Sequence, residues 1–178
     1  LEEALQISRR IGNRYGEQHE LMELGFAHNL QGDYQQAETY LQESLTLARE
    51  LDLGSHLALC LTYNAYNKID LNEFDLSSQM LSEVLEIILN TEAKVYVNEA
   101  LATYARLFYA RGLNQSALLL CEFMLHQTAL EDITRQVMVE PVYGQLKLAV
   151  LEDEYQQTKQ QAQSLDIDRA LQLVQASV

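Results

Sequence analysis

The chain has 178 residues, of which 48% are hydrophobic, 26 are acidic and 12 are basic, so its formal net charge is −14. This hydrophobic content suffices for a continuous core and excludes a wholly disordered chain, while the acidic excess opposes binding to a nucleic-acid backbone, where affinity comes from lysine and arginine. One proline and seven glycines leave few sheet-type turns, so we expect an all-helical chain with a solvated acidic face.

The two cysteines, Cys60 and Cys121, lie far apart and do not form the close pair that binds zinc or exchanges disulfides. As small apolar core residues they favour a reducing compartment, and we expect a cytoplasmic location. No run of 18 apolar residues predicts a membrane span, and we expect no membrane partner. The chain starts at Leu1, inside a repeat, so we expect it to be a piece of a longer protein.

The unit that repeats along the chain is the stretch from Leu21 to Leu51, which reads as two amphipathic helices joined at Gly32-Asp33. Similar residues return every 40 positions, and a fixed period in this range predicts a solenoid of stacked helix pairs. The recurring sets are Ala37, Ser77 and Ala117; Leu41, Leu81 and Cys121; and Leu21, Leu61 and Leu101.

Taken in order, the chain divides into a half repeat followed by three repeats. Residues 1–15 are predicted to be a second helix, and the repeats span 17–53, 55–90 and 91–130. Turn residues predict where the two helices of each repeat meet, since glycine suits the left-handed position that ends a helix and Ser, Asp or Asn can cap the next one. The predicted stops are Gly32 and Gly112, and the predicted caps are Asp33 (with Gln36), Ser55, Asn72 and Asn114.

Residues 132–178 are predicted to be a degenerate C-terminal repeat with a capping helix. Pro141 stands where a first helix should already be under way, so that helix is expected to begin or bend near it. A shortened second helix should follow Glu152, and a last helix should start at about Asp168.

The chain resembles the tetratricopeptide (TPR) repeat family over about residues 1–130. The resemblance implies an all-α, α-α superhelix that binds other proteins. In its 40-residue period the chain is also similar to the TPR arrays of bacterial multidomain regulators, among them STAND-type signalling ATPases and LuxR-type transcription activators. The matching residues are Leu21, Leu24, Gly25, Ala37 and Leu41; Leu61, Ala65, Phe74, Ser77 and Leu81; and Leu101, Ala105, Gly112 and Ala117.

A TPR-like stack places its first helices along a concave wall, so the side chains facing that groove are the candidate partner-binding residues. Aromatic anchors in a groove dominate binding energy, which favours Phe26, Tyr66 and Tyr109. The alternative, that some of these side chains fill space between repeats, stays open because helical spacing alone does not separate a groove wall from a core. The full set is His19, Met22, Phe26, Asn29, Thr62, Tyr66, Ile69, Arg106 and Tyr109.

Other site chemistries find no support in the sequence. TPR proteins that hold a peptide's terminal carboxylate use lysines and asparagines, whereas this chain has Met22 and Phe26 at matching places and only Arg106 is basic. The four histidines lack the helical zinc-protease spacing, and glycines never cluster as a phosphate-binding loop. We therefore expect no metal, no cofactor and no enzymatic activity.

The main hypothesis is a non-catalytic interaction scaffold whose groove takes a peptide or helix, from another protein or from the same parent chain. Two alternatives stay open. The groove could sense a small effector within a signalling or transcription regulator, or an apolar end face could drive self-assembly into homo-oligomers.

Overall fold

The computed structural model describes residues 1–91, 94–127, 130 and 132–177. Over these residues the protein is all-helical, with 85% helix, no strand, and ten α-helices packed in adjacent pairs, which confirms the expected all-α class. The chain forms two compact units, Leu1–Lys94 and Val95–Val178.

Unit 1 contains five helices joined by very short turns. Each helix packs on its neighbour in sequence, and α2 also packs directly on α4. Leu5 of α1, Leu21 and Leu24 of α2 and Leu47 of α3 form one buried cluster, with Tyr40 packed against it. The helices are α1 (Glu2–Ile11), α2 (Arg14–Leu30), α3 (Tyr34–Glu50), α4 (Gly54–Asp70) and α5 (Phe74–Asn90).

One turn design ends the first four helices at intervals of 20 residues and occurs again 40 residues later. The left-handed residue has φ +82° at Gly32, and its N–H donates to the Asn29 carbonyl while the next N–H, of Asp33, donates to the His28 carbonyl. This pair of bonds satisfies carbonyls that the helix end would otherwise leave without partners. The same backbone turn occurs at Gly12 (φ +71°), Asp52 (φ +53°), Asn72 (φ +61°) and Gly112 (φ +76°).

Three of the predicted helix caps are wrong by one or two residues. Asn72 occupies the left-handed position itself, so the cap of α5 is Glu73. Ser55 lies inside the first turn of α4, which begins at Gly54. Asn114 is the first residue of its helix and is preceded by Leu113 as the cap. Asp33 does cap α3, since its Oδ1 accepts the Gln36 N–H at 3.4 Å.

Gly25 allows α2 and α3 to approach closely. A β-carbon at this position would stand 2.5 Å from Cγ of Leu41 and 3.2 Å from the Leu41 backbone nitrogen. Leu41 is fully buried, so the absence of a side chain at Gly25 is a packing requirement of this helix pair.

Unit 2 contains the remaining five helices. Lys94–Tyr96 forms a 3₁₀ turn leading into α6, and a π-helical segment, Thr134–Val139, runs into α8 with Pro141 in its first turn. The Glu140 N–H bonds to the Arg135 carbonyl, five residues back, so the wider turn places the residue that lacks an N–H at a helix start. The helices are α6 (Val97–Ala110), α7 (Asn114–Leu125), α8 (Glu140–Ala149), α9 (Glu152–Ala162) and α10 (Ile167–Ser177).

Candidate functional site

Most of the predicted groove residues lie in the protein interior. Phe26 is 7% exposed, stacks on Tyr63 with ring centroids 4.2 Å apart, and meets Tyr66 edge-on at 5.8 Å. These side chains fill the space where α2 packs on α4, which is the alternative that the sequence left open, and their partner-binding role stays a prediction. The buried members of the set are Met22, Phe26, Asn29, Thr62, Tyr66 and Ile69.

The other three predicted residues keep accessible surface. His19 in α2 is half-buried, as are Arg106 and Tyr109 in α6. Their partner-binding role stays a prediction.

Asn29 belongs to a polar network rather than to a binding wall. Its Nδ2 donates to Asn67 Oδ1 at 2.9 Å and to Asp70 Oδ2 at 3.0 Å. Asn67 Nδ2 in turn donates to Glu38 Oε2 at 3.1 Å, and Lys68 Nζ lies 2.8 Å from Glu38 Oε1. These bonds join α2, α3 and α4, and they satisfy polar groups whose burial would otherwise be costly.

The cysteines are unsuited to nucleophilic chemistry. Cys60 is fully buried, and its Sγ lies 2.9 Å from Gln18 Nε2 and 3.3 Å from Ser44 Oγ. Burial raises the pKa of Cys60 to about 11 and that of Cys121 to about 12. Both thiols are therefore protonated at neutral pH, and the thiolate is the reactive form.

Two histidines of unit 1, His19 and His56, lie close together without building a metal site. The Tyr15 hydroxyl lies 2.8 Å from His56 Nε2, and the rings of His19 and His56 are 6.3 Å apart. Burial, and then the charge of His19, lower the pKa of His56. Within the described ranges no three His, Cys, Asp or Glu side chains are placed to hold a metal ion.

In unit 2 a buried carboxylate lies beneath two tyrosines. Glu122 of α7 is 2% exposed and accepts the Tyr143 hydroxyl at 2.7 Å, while the hydroxyls of Tyr143 and Tyr155 are 3.0 Å apart. Tyr143 donates its single proton to Glu122, so Tyr155 must donate to Tyr143. Burial, and then these two hydrogen bonds, raise the pKa of Tyr143, which makes it a hydrogen-bond donor and excludes it as a base.

Two lysines lie above the same tyrosines. Lys147 Nζ is 5.6 Å from the ring centroid of Tyr143 and 5.5 Å from that of Tyr155, and Lys159 Nζ is 5.9 Å from the Tyr155 ring. Cation–π contacts of this kind hold the ammonium groups close to the rings. The cluster ties α7, α8 and α9 together.

A groove runs along α7 and α9, and several amide side chains are among the residues that line it. We call it the glutamine groove and define it by Gln115 of α7 and by Gln157, Gln160 and Gln161 of α9. Its three adjoining cavities have volumes of about 390, 150 and 430 Å³. The first cavity is lined by Gly112, Leu113, Asn114, Gln115, Ser116, Ala149, Val150 and Glu154.

The four glutamines of this groove have unused hydrogen-bonding capacity. Each is exposed, and within the described part of the chain none of their amide groups makes a hydrogen bond. By contrast, Gln156 on the same helix donates to Glu152 at 2.7 Å. The first cavity is also lined by residues of the first turn of α7, whose cap, Leu113, offers no side-chain acceptor to the backbone N–H groups of that turn.

The glutamine groove is not apparent from the sequence alone. The available signal is the density of glutamine in α9, at positions 156, 157, 160 and 161, with Gln163 directly after the helix. Spacing alone does not show that two of those side chains face α7.

Comparisons of the chain with protein-family models, with curated proteins and with solved structures return no match. The resemblance to TPR repeats therefore depends on the chain's own residues. No helix in the described part of the chain is long and apolar enough to cross a membrane.

Proposed function

We propose that this chain is a non-catalytic, TPR-like interaction module that binds a peptide segment, from another protein or from elsewhere in the same parent chain. The observation that carries this proposal is the glutamine groove, where four glutamine amides line adjoining cavities and make no hydrogen bond to the described part of the chain. We place the binding surface there rather than on the face of α2 and α4, whose side chains are buried.

Glutamine suits the recognition of a peptide main chain because its side-chain amide offers two donors and a carbonyl acceptor. An extended peptide presents unpaired N–H and C=O groups along both edges, whereas a helix has satisfied its own. Each hydrogen bond contributes only about 0.5–1.5 kcal/mol net. After the ordering cost of the peptide, the expected dissociation constant is roughly micromolar.

A display selection of short peptides on the folded, immobilised chain tests the proposal, with binding confirmed by calorimetry on synthetic peptides. Gln157→Ala with Gln161→Ala should weaken the selected peptides about tenfold or more. The matched control, Gln156→Ala with Gln163→Ala, changes one exposed glutamine of α9 and one directly after the helix. Neither of them lines the groove, so this variant should leave affinity unchanged. Failure to select any peptide, or equal losses in the two variants, would refute the assignment.

A second candidate, self-association, is favoured by the outer face of α1. Leu1, Ile7 and Ile11 are 56%, 41% and 67% exposed, and an exposed apolar stripe invites a second copy. Sedimentation equilibrium over a concentration series should then show a dimer that Ile7→Lys with Ile11→Lys abolishes. A monomer at all concentrations would remove this candidate.

A further inference from the structure

We infer that the glutamine groove selects an extended peptide in which an apolar side chain lies next to lysine or arginine. The inference depends on the proposed function and adds the chemistry of the partner. It comes from the first cavity, where one charged side chain and several apolar ones lie among the amides.

The apolar part of the preference comes from two apolar residues at that cavity, one just before α7 and one just after α8. Leu113 and Val150 line it, and Leu113 is 46% exposed. Leu148 and Leu151, which flank Val150 in the sequence, are 84% and 72% exposed. A volume of about 390 Å³ leaves room for one bulky apolar side chain beside a peptide main chain.

The basic part of the preference comes from charge complementarity. Glu154 is the one charged residue among those lining the three cavities, and Glu152 and Asp153 precede it in the first turn of α9. The nearby ammonium groups of Lys147 and Lys159 lie over the tyrosine rings and do not line the groove. A net charge of −14 also raises the encounter rate with a basic peptide.

One feature of the cavity carries the opposite sign. The first turn of α7 presents backbone N–H groups at the positive end of its helix dipole, equivalent to about half a charge. A main-chain carbonyl of the peptide satisfies those donors without carrying a net charge, which leaves the Glu154 carboxylate for the basic side chain. An acidic side chain would meet Glu154 at the same end, so the geometry disfavours it.

The probes are acetylated, amidated octapeptides in a positional-scanning set, read by fluorescence polarisation against the whole chain. Peptides with Leu-Lys or Leu-Arg should bind about two- to fivefold more tightly than Leu-Gln versions, the range of an exposed ion pair. Leu-Glu versions should bind most weakly. Because salt screens exposed charges, the preference should nearly vanish at 1 M salt. Helix-favouring α-aminoisobutyrate residues should weaken binding, since the groove takes an extended chain.

The deciding variant is Glu154→Gln, which keeps an acceptor for the Leu151 N–H that Glu154 now accepts at 3.4 Å. It should remove the basic preference and retain binding, while Asp153→Asn, one residue away and outside the cavities, should keep it. A profile without basic residues, or one that survives Glu154→Gln, overturns this inference and leaves the proposed function standing. Absence of any binding peptide overturns both.

Discussion

Replacing Gly25 by alanine should destabilise the protein, although alanine is the better helix former. The added methyl would lie 2.5 Å from Leu41 Cγ and 2.8 Å from Leu41 Cδ2, and the Leu41 backbone nitrogen is 3.2 Å away. A gain of about 0.5–1 kcal/mol from helix propensity opposes an overpacking cost of about 1–3 kcal/mol. Leu41 is fully buried and its backbone nitrogen is fixed by the helix, so we expect a net loss of about 1–2 kcal/mol.

The experiment is urea unfolding followed by circular dichroism, with hydrogen exchange to locate the loss in α2 and α3. Gly54→Ala is the control in the same unit, since a β-carbon there meets nothing within 4 Å, and its unfolding free energy should stay the same or rise slightly. A double-mutant cycle sharpens the test. Leu41→Ala alone should cost about 2–5 kcal/mol, but in that background Gly25→Ala should no longer destabilise.

Two experimental results would contradict this prediction. Gly25→Ala could raise the urea midpoint, which would mean that α2 and α3 move apart at little cost. Alternatively, the two single losses could simply add in the double variant, which would mean that the methyl group and the Leu41 side chain do not compete for the same space.

Three further predictions concern single residues. Asn72→Ala should lower the unfolding free energy by about 1 kcal/mol, because φ is +61° there, whereas Asn72→Gly should not. Equal urea midpoints for the two variants would contradict this. Stability should fall as pH rises from about 9 to about 11, because the unfolded thiol loses its proton near 9.0 while folded Cys60 keeps it to about 11. Urea titrations across that range should show that Cys60→Ala reduces the pH dependence of the unfolding free energy by up to about 1.4 kcal/mol per pH unit. An unchanged pH dependence would refute the assignment. Tyr143→Phe should lower the unfolding free energy by about 1–3 kcal/mol, because the buried Glu122 carboxylate loses its donor at 2.7 Å. Glu122→Gln in that background should recover part of the loss. An unchanged unfolding free energy for Tyr143→Phe would show that water replaces the hydroxyl.

The helix boundaries were the part of the fold that the sequence could predict. Gly32 and Gly112 end helices through positive φ, a local property of glycine that needs no knowledge of the rest of the chain. Asn72 was assigned to the wrong side of its turn because asparagine is favoured both as a cap and in the left-handed conformation. Local chemistry therefore gave the turn and left its register ambiguous by one residue.

The candidate site could not be predicted because it depends on which helix faces which. Helical spacing predicted that Met22, Phe26 and Thr62 face a concave groove, but spacing does not report how close the neighbouring helix lies, and these side chains are buried. Gln157 and Gln161 are exposed residues of α9 that belong to no motif in the sequence. Their importance follows only from the packing of α9 on α7, which brings them opposite Gln115.

The burial of polar residues between α2 and α4 also bears on where a partner can bind. Apolar contacts such as Phe26 on Tyr63 would tolerate a shift of one helix along the other, but the Asn29–Asn67 bond at 2.9 Å would be broken by it. Breaking that bond would leave buried amides without partners, so the network favours one register and resists opening. A partner that entered between these helices would have to replace those bonds, whereas one that occupied the glutamine groove would displace only water from the exposed amides. That difference in desolvation cost favours the proposed binding surface on α7 and α9.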